Sequence, residues 1–311
     1  MIFDTQKILK DYPWLKKKKL PMIISSNYDG LICASLLHHH LDWDLVGYYN
    51  HESLWISEDA INRKKDIIWV DLNILPKQGK AIGGHIVSVD GFIPTGFETS
   101  CNPNILNQLT SYNFNAKFPF STLIFLLWLY GIKIPKNELA RLFILNSDAT
   151  WLKWQNYNDN CQDWILKLSN FHWEELFYQV NTKTFDKKID QLLYPELLAI
   201  GELKSFGKLS SNFLKIKNRE FIINPDWDED LILSFFQLLG NHLLWSNPKL
   251  PHIIKRIDGM KKKCLLSDVK KIGLNNFISQ ESIFSYAITS PRYFSYTTFG
   301  STKKRVIDVK P

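Results

Sequence analysis

Short apolar runs alternate with polar breaks through the first hundred residues. PMIISSN (21–27) reads as a strand, GLICASLLHHHL (30–41) as a helix and WDLVGYYN (43–50) as a second strand. A connection over ISEDAINRK (56–64) leads to strands at KDIIWVDLN (65–73) and GGHIVSVDG (83–91). Continuous apolar strands separated by helical or short crossovers predict a buried parallel sheet in an α/β domain. Asn102-Pro103-Asn104 then breaks the chain. A helical region of about 103–180 follows, with helices expected at ILNQLTSY, FPFSTLIFLLWLYG and KNELARLFILNS, and helix and loop through residues 149–170. From 181 the chain turns polar and helical. The economical division is a first domain at 1–190, a helical connector at 191–207 and a smaller α/β domain at 208–311. In that last part REFIINP (219–225) reads as a strand, DEDLILSFFQLLGNHLLW (228–245) as a helix opened by acids, and SIFSYAITSPRYFSYTTFG (282–300) as a hairpin of alternating aromatics.

Charge sharpens this picture. The chain of 311 residues carries a formal net charge of +7, and from Lys249 onward 13 Lys/Arg stand against 4 Asp/Glu. A second basic block, Lys16-Lys17-Lys18-Lys19, precedes the first strand. Any one such cluster reads equally well as a solvated face, but two clusters and a skewed C-terminal part favour a polyanionic partner. The hairpin sets Phe284, Tyr286, Tyr293, Phe294, Tyr296 and Phe299 beside Arg292, Lys303, Lys304 and Arg305, with Lys261, Lys262 and Lys263 just upstream. Rings interleaved with cations can stack bases and hold a backbone, although one face of such a hairpin would also serve as a core. Tyr293 and Tyr296 are expected to be the outward rings. The longest apolar window, STLIFLLWLYGI, is shorter than the roughly 20 residues a bilayer span needs. With no apolar leader after a basic start, and four cysteines without CxxC spacing, a cytoplasmic protein with reduced thiols and no membrane contact is expected.

Asp29, Asp71 and Asp90 each follow an expected strand, so in a parallel sheet their carboxylates would converge on one edge, and Asp148 in LNSDATW could reach the same place. A single Asp there is often only a cap or turn former, but three in successive strands point to a site for Mn²⁺ or Mg²⁺. The histidines tempt less. His38, His39 and His40 are consecutive on a helix and cannot face one ion, and His85 reads as a structural residue at the far end of its strand.

The order SSNYDGLICASLL, IIWVDLN, HIVSVDGF, CNPN and NSDATWL, spanning residues 23–152, resembles the DHH phosphoesterase superfamily, nearest to the RecJ-type single-strand exonucleases. The resemblance implies a parallel-sheet DHH-like N-terminal domain, a smaller α/β C-terminal domain, two Mn²⁺ ions and a phosphodiester substrate. It also implies departures. The family's first motif, Asp-x-Asp-x-Asp-Gly, keeps only Asp29, with Ser25 and Asn27 at the upstream acidic positions. Its Asp-His-His triplet would fall on Asp90, Gly91 and Phe92, and the Gly-rich motif that closes the family's C-terminal domain is absent from the sequence. What remains as a metal set is Asp29, Asp71, Asp90, Asp148 and the neutral Asn27, enough for one weakly held Mn²⁺ at most. Two-metal hydrolysis clamps both attacking and leaving oxygens, so loss of one ion removes most of the rate. The leading expectation is therefore an eroded RecJ-like protein that binds single-stranded DNA or RNA without efficient hydrolysis. An active Mn²⁺-dependent phosphodiesterase and a protein-binding subunit of a larger assembly are the alternatives.

Overall fold

The computed structural model describes residues 2–75, 79–201, 204–211 and 216–300. It is a mixed α/β structure whose main sheet is mostly parallel. The first strands are β1 (Pro21–Ser25), β2 (Asp44–Tyr49), β3 (Ser53–Ser57), β4 (Ile68–Val70) and β5 (Lys80–Ile82). An antiparallel pair, β6 (Lys204–Ser211) and β7 (Ile216–Glu220), stands apart, and β8 (Ile253–Asp258) returns to the main sheet. The sheet order is β5-β4-β1-β2-β3-β8, with β5, β4, β1 and β2 parallel and β3 antiparallel to both its neighbours, β2 and β8. β1 is buried along its whole length, as expected of a central parallel strand covered on both faces.

Local chemistry explains the elements that matter most to the carboxyl edge. After β1 the Asn27 side chain caps the helix Tyr28–Leu41, accepting the Gly30 N–H at 3.0 Å. Gly30 is required by close approach, because a Cβ there would lie 1.9 Å from the Ser25 carbonyl oxygen. The helix Thr122–Tyr130 starts on a Ser121 cap, is buried from Thr122 to Leu129, and stops at Gly131 in a left-handed conformation.

Three groups of buried side chains hold the molecule. The largest runs from Phe3 to Trp245 and covers one face of the sheet with helices. It joins residues on both sides of 191–207, since Phe221, Phe235 and Trp245 pack in the same cluster as Tyr28 and Leu145. On the other face Ile23, Tyr49, Trp69 and Ile74 form a second group, capped by Phe284 and Phe299. The third lies within a small unit, where β9 (Met260–Leu265), β10 (Ile283–Ser290) and β11 (Tyr293–Thr298) pair antiparallel in the order β10-β11-β9, beside the helices Leu266–Ile272 and Leu274–Glu281.

The strand expected at 83–91 does not form. The parallel strand is β5, ending at Ile82, and the alternating run after it contributes Ile86, Val87 and Val89 to the core of the small unit, where Ile86 bridges to Ile288. The alternation was real, but it matches a surface covered by the C-terminal hairpin rather than a fifth parallel neighbour. Among the described residues no helix is long and apolar enough to cross a membrane.

Candidate functional site

The four parallel strands deliver polar residues to one edge in spatial order. His85 lies beyond β5, Asp71 directly beyond β4, Asn27 and Asp29 beyond β1, and His51 beyond β2. From β1 the chain crosses to β2 on one side, and after β3 it passes back to β4 on the other side of β1. Asp29 and Asp71 thus stand at the point where the winding of the sheet reverses, the usual ligand crevice of open α/β sheets. A cleft of about 910 Å³ opens there. Asp148 and Lys153 reach it from the helical region, Lys117 and Phe118 form a wall, and Lys261 enters from β9.

Its centre is acidic and its flank basic. Asp71 Oδ1 accepts a hydrogen bond from Thr122 Oγ1 at 2.7 Å, and its Oδ2 lies 2.7 Å from Ser25 Oγ. Asp29 Oδ1 accepts from Ser147 Oγ at 2.6 Å and from the Asp148 N–H. Asp148 pairs with the Lys153 ammonium. Burial, then the Asp29 charge, raises the Asp71 carboxyl to about 7 despite its two hydroxyl partners. On the flank, burial and then the nearby Lys261 and His85 hold the His51 imidazole down to about 3, leaving it neutral at pH 7. Four non-glycine residues at or beside this cleft adopt left-handed backbone conformations: His51 (φ 68°), Asp71 (59°), Asp148 (47°) and Ala149 (50°). Such conformations cost on the order of 1 kcal/mol each and concentrate where side chains must be aimed.

The cleft brings Asn27, Asp29, Asp71 and Asp148 together and leaves Asp90 out. Asp90 is exposed, and among the described residues its carboxylate accepts a long bond from the Phe92 N–H, at 3.4 Å. The residue at the β5 end of the edge is His85, which the sequence reading set aside as structural. Its loop is fastened by Asn102-Pro103-Asn104. Asn102 Nδ2 donates to the His85 carbonyl at 2.8 Å, and Asn104 Nδ2 donates to the Gly84 carbonyl at 2.7 Å. Sequence reasoning also missed His51 and Lys153. Extending the strand-end rule from aspartate to every polar residue would have found His51. Lys153 had no such signal, because a backbone turn brings it to Asp148.

The expected nucleic-acid residues divide. In β11 Tyr293 is 39% exposed, with the Lys263 ammonium 3.9 Å from its ring centre, whereas Tyr296 is 7% exposed and donates to Glu281 at 3.0 Å. Residues three apart on a strand face opposite ways, so Tyr293 and Tyr296 cannot both point outward. Strand pairing sorts the lysines in the same way. Lys261 and Lys263 share the Tyr293 face, while Lys262 lies with Tyr296 and pairs with Glu281 at 2.9 Å. Arg292 is exposed at the hairpin turn, and Lys303, Lys304 and Arg305 lie outside the described residues.

The carboxylates do not fit a two-ion centre. Both Asp71 oxygens are engaged by hydroxyls, Asp29 Oδ1 holds two donors, and Asp148 is paired with an ammonium. A Mn²⁺ ion needs about six oxygen or nitrogen positions. Among the described residues no group of three or more His, Cys, Asp or Glu side chains is arranged to hold a metal ion. No family model, no curated protein and no solved structure matches the chain.

Proposed function

We propose that this protein is a RecJ/DHH-like chain that holds single-stranded nucleic acid across the cleft without efficient hydrolysis. The observation that carries the reading is the division of one crevice into a carboxylate centre tied by the chain's own donors and a flank of Lys261, His51 and His85 suited to a phosphate. The β9–β11 face extends that flank outward, from Lys261 in the cleft to Lys263 and the exposed Tyr293, with spacing that suits backbone contacts and a stacked base. Within the resemblance, the third motif is better aligned with Gly83-Gly84-His85 than with Asp90-Gly91-Phe92, because Gly83 directly follows the parallel strand β5 whereas Asp90 follows no strand. One histidine of that triplet then survives, and its acid is lost.

The test combines binding and cleavage. Fluorescence anisotropy with labelled single-stranded and duplex oligonucleotides is expected to show single-strand binding that weakens steeply with salt, as phosphate contacts require. End-labelled strands incubated with Mn²⁺ should stay intact. Cleavage abolished by both EDTA and Asp71→Ala would replace this reading with that of an active phosphodiesterase. Absence of binding at low salt would replace it with that of a protein-binding subunit.

A further inference from the structure

We infer that the Lys153 ammonium is the built-in cation of the carboxylate cluster, standing where a divalent ion would otherwise be held and keeping such ions out. The inference rests on the reading of this cleft as a DHH-like crevice, in which a cation is expected.

The geometry is specific. Asp148 precedes the helix Thr150–Asn156, and Lys153 lies within it. On a continuous helix, residues five apart point about 140° away from each other and do not pair. Here Asp148 (φ 47°) and Ala149 (φ 50°) form a left-handed turn that sets the Asp148 carboxylate against the Lys153 ammonium. The same turn aims the Asp148 N–H at Asp29. One strained segment therefore fastens Asp29, Asp148 and Lys153 into a unit, and the charges of Asp29 and Asp148 both act on Asp71. With side-chain exposures of 20% for Lys153 and 29% for Asp148, the pair stands in the cleft wall, half-buried.

The substitution changes the chemistry available. An ammonium offers three donors and one positive charge, so it can hold Asp148 and still donate to a phosphate oxygen. It has no open coordination position at which a water could be made nucleophilic. The site is thus suited to holding a phosphate-bearing strand whether or not divalent ions are present.

The decisive measurement is a Mn²⁺ titration followed by the electron paramagnetic resonance signal of the free ion. Wild-type protein is expected to leave the free signal undiminished. Lys153→Met, shown to be folded by its circular dichroism melt, should take up about one ion per chain, and adding Asp148→Asn should abolish that uptake. Lys153→Gln, which keeps a donor but no charge, is the replacement if the Met variant does not fold. Stoichiometric uptake by wild-type protein, or no uptake by either folded Lys153 variant, would overturn the inference. Anisotropy with a 5′-phosphorylated dinucleotide separates this outcome from the function itself. Wild-type affinity should be the same in EDTA and in Mn²⁺, and Lys153→Met in EDTA should lose about tenfold. Wild-type protein that excludes Mn²⁺ yet binds no oligonucleotide would overturn the nucleic-acid reading and leave the Lys153 assignment supported.

Discussion

The Asp71 side chain sits among groups that compete for one proton. Ser25 Oγ lies 2.7 Å from Asp71 Oδ2 and 2.8 Å from Asn27 Oδ1, and that amide oxygen already accepts the Gly30 N–H. A hydroxyl has a single proton. With Asp71 protonated, the acid donates to Ser25 and Ser25 donates to Asn27. With Asp71 ionised, Ser25 can serve only one of its two neighbours, and Asp29 repels the new charge. Burial first, and then the Asp29 charge, raise the carboxyl from 3.8 to about 7, against the Thr122 and Ser25 hydrogen bonds that favour its ionised form. The folded chain therefore keeps a proton that the unfolded chain releases above about pH 4. Its contribution to stability is complete below that value, declines as pH rises towards 7, and is level beyond. A rise of that size corresponds to about 4 kcal/mol, and screening by water in the cleft reduces this to roughly 2 kcal/mol. Asp71→Asn keeps the left-handed backbone and a neutral amide able to accept or donate. It should be more stable than wild type by roughly 2 kcal/mol near pH 8, and the gap should close towards pH 4. Urea unfolding across that range checks this, and parallel pH profiles for the two proteins would refute it.

At the scale of elements, β9 and β11 show how period-two geometry assigns roles that composition leaves mixed. Lys261 and Lys263 share a face with Tyr293, and Lys262 shares the opposite face with Tyr296 and Glu281. Lys263→Ala should weaken oligonucleotide binding and lower the slope of log affinity against log salt by about 1, whereas Lys262→Ala should leave that slope unchanged. Tyr296→Phe should cost about 1 kcal/mol of stability through its lost bond to Glu281 and leave binding intact. Equal salt slopes for both lysine variants would dissociate this face from phosphate contact. The same geometry shows what the sequence could reveal. The order of β1, the helix Tyr28–Leu41, β2 and β4 was legible because apolar runs end at polar turns. So were the helix Glu229–Leu243 and the β10–β11 hairpin. The convergence of Asp29 and Asp71 followed from strand polarity alone. HIVSVDG was misread because alternation reports one covered face without naming the covering element, here the C-terminal hairpin. Lys153 was hidden because its position depends on two left-handed residues that no periodicity signals.

The whole molecule joins distant parts of the chain in one core, which bears on how it can be divided. Nine side chains between Phe221 and Trp245 are buried in the cluster that also holds Tyr28 and the helix Thr122–Tyr130. The Tyr28 ring centre lies 5.1 Å from that of Phe235, and the Trp55 indole N–H donates to Asp226 at 2.7 Å. β8 covers the β3 edge, and only Gly259 separates it from β9, the strand that carries Lys261 into the cleft. A fragment ending at residue 207 would lose all nine side chains and uncover a sheet edge. At about 1.5–3 kcal/mol for each large apolar side chain, the lost burial is roughly 14–27 kcal/mol, as large as or larger than the 5–15 kcal/mol by which ordinary domains are stable. The exposed β3 edge would also offer unpaired backbone groups to other chains. Residues 1–207 expressed alone are therefore expected to aggregate or to unfold without a sharp urea transition. The chain through residue 300 should unfold cooperatively. A soluble 1–207 fragment with a cooperative transition and dispersed amide resonances would show that the sheet and its carboxylate edge stand without the returning segment, and the basic flank at Lys261 would then be an attachment to a self-sufficient site rather than part of its construction.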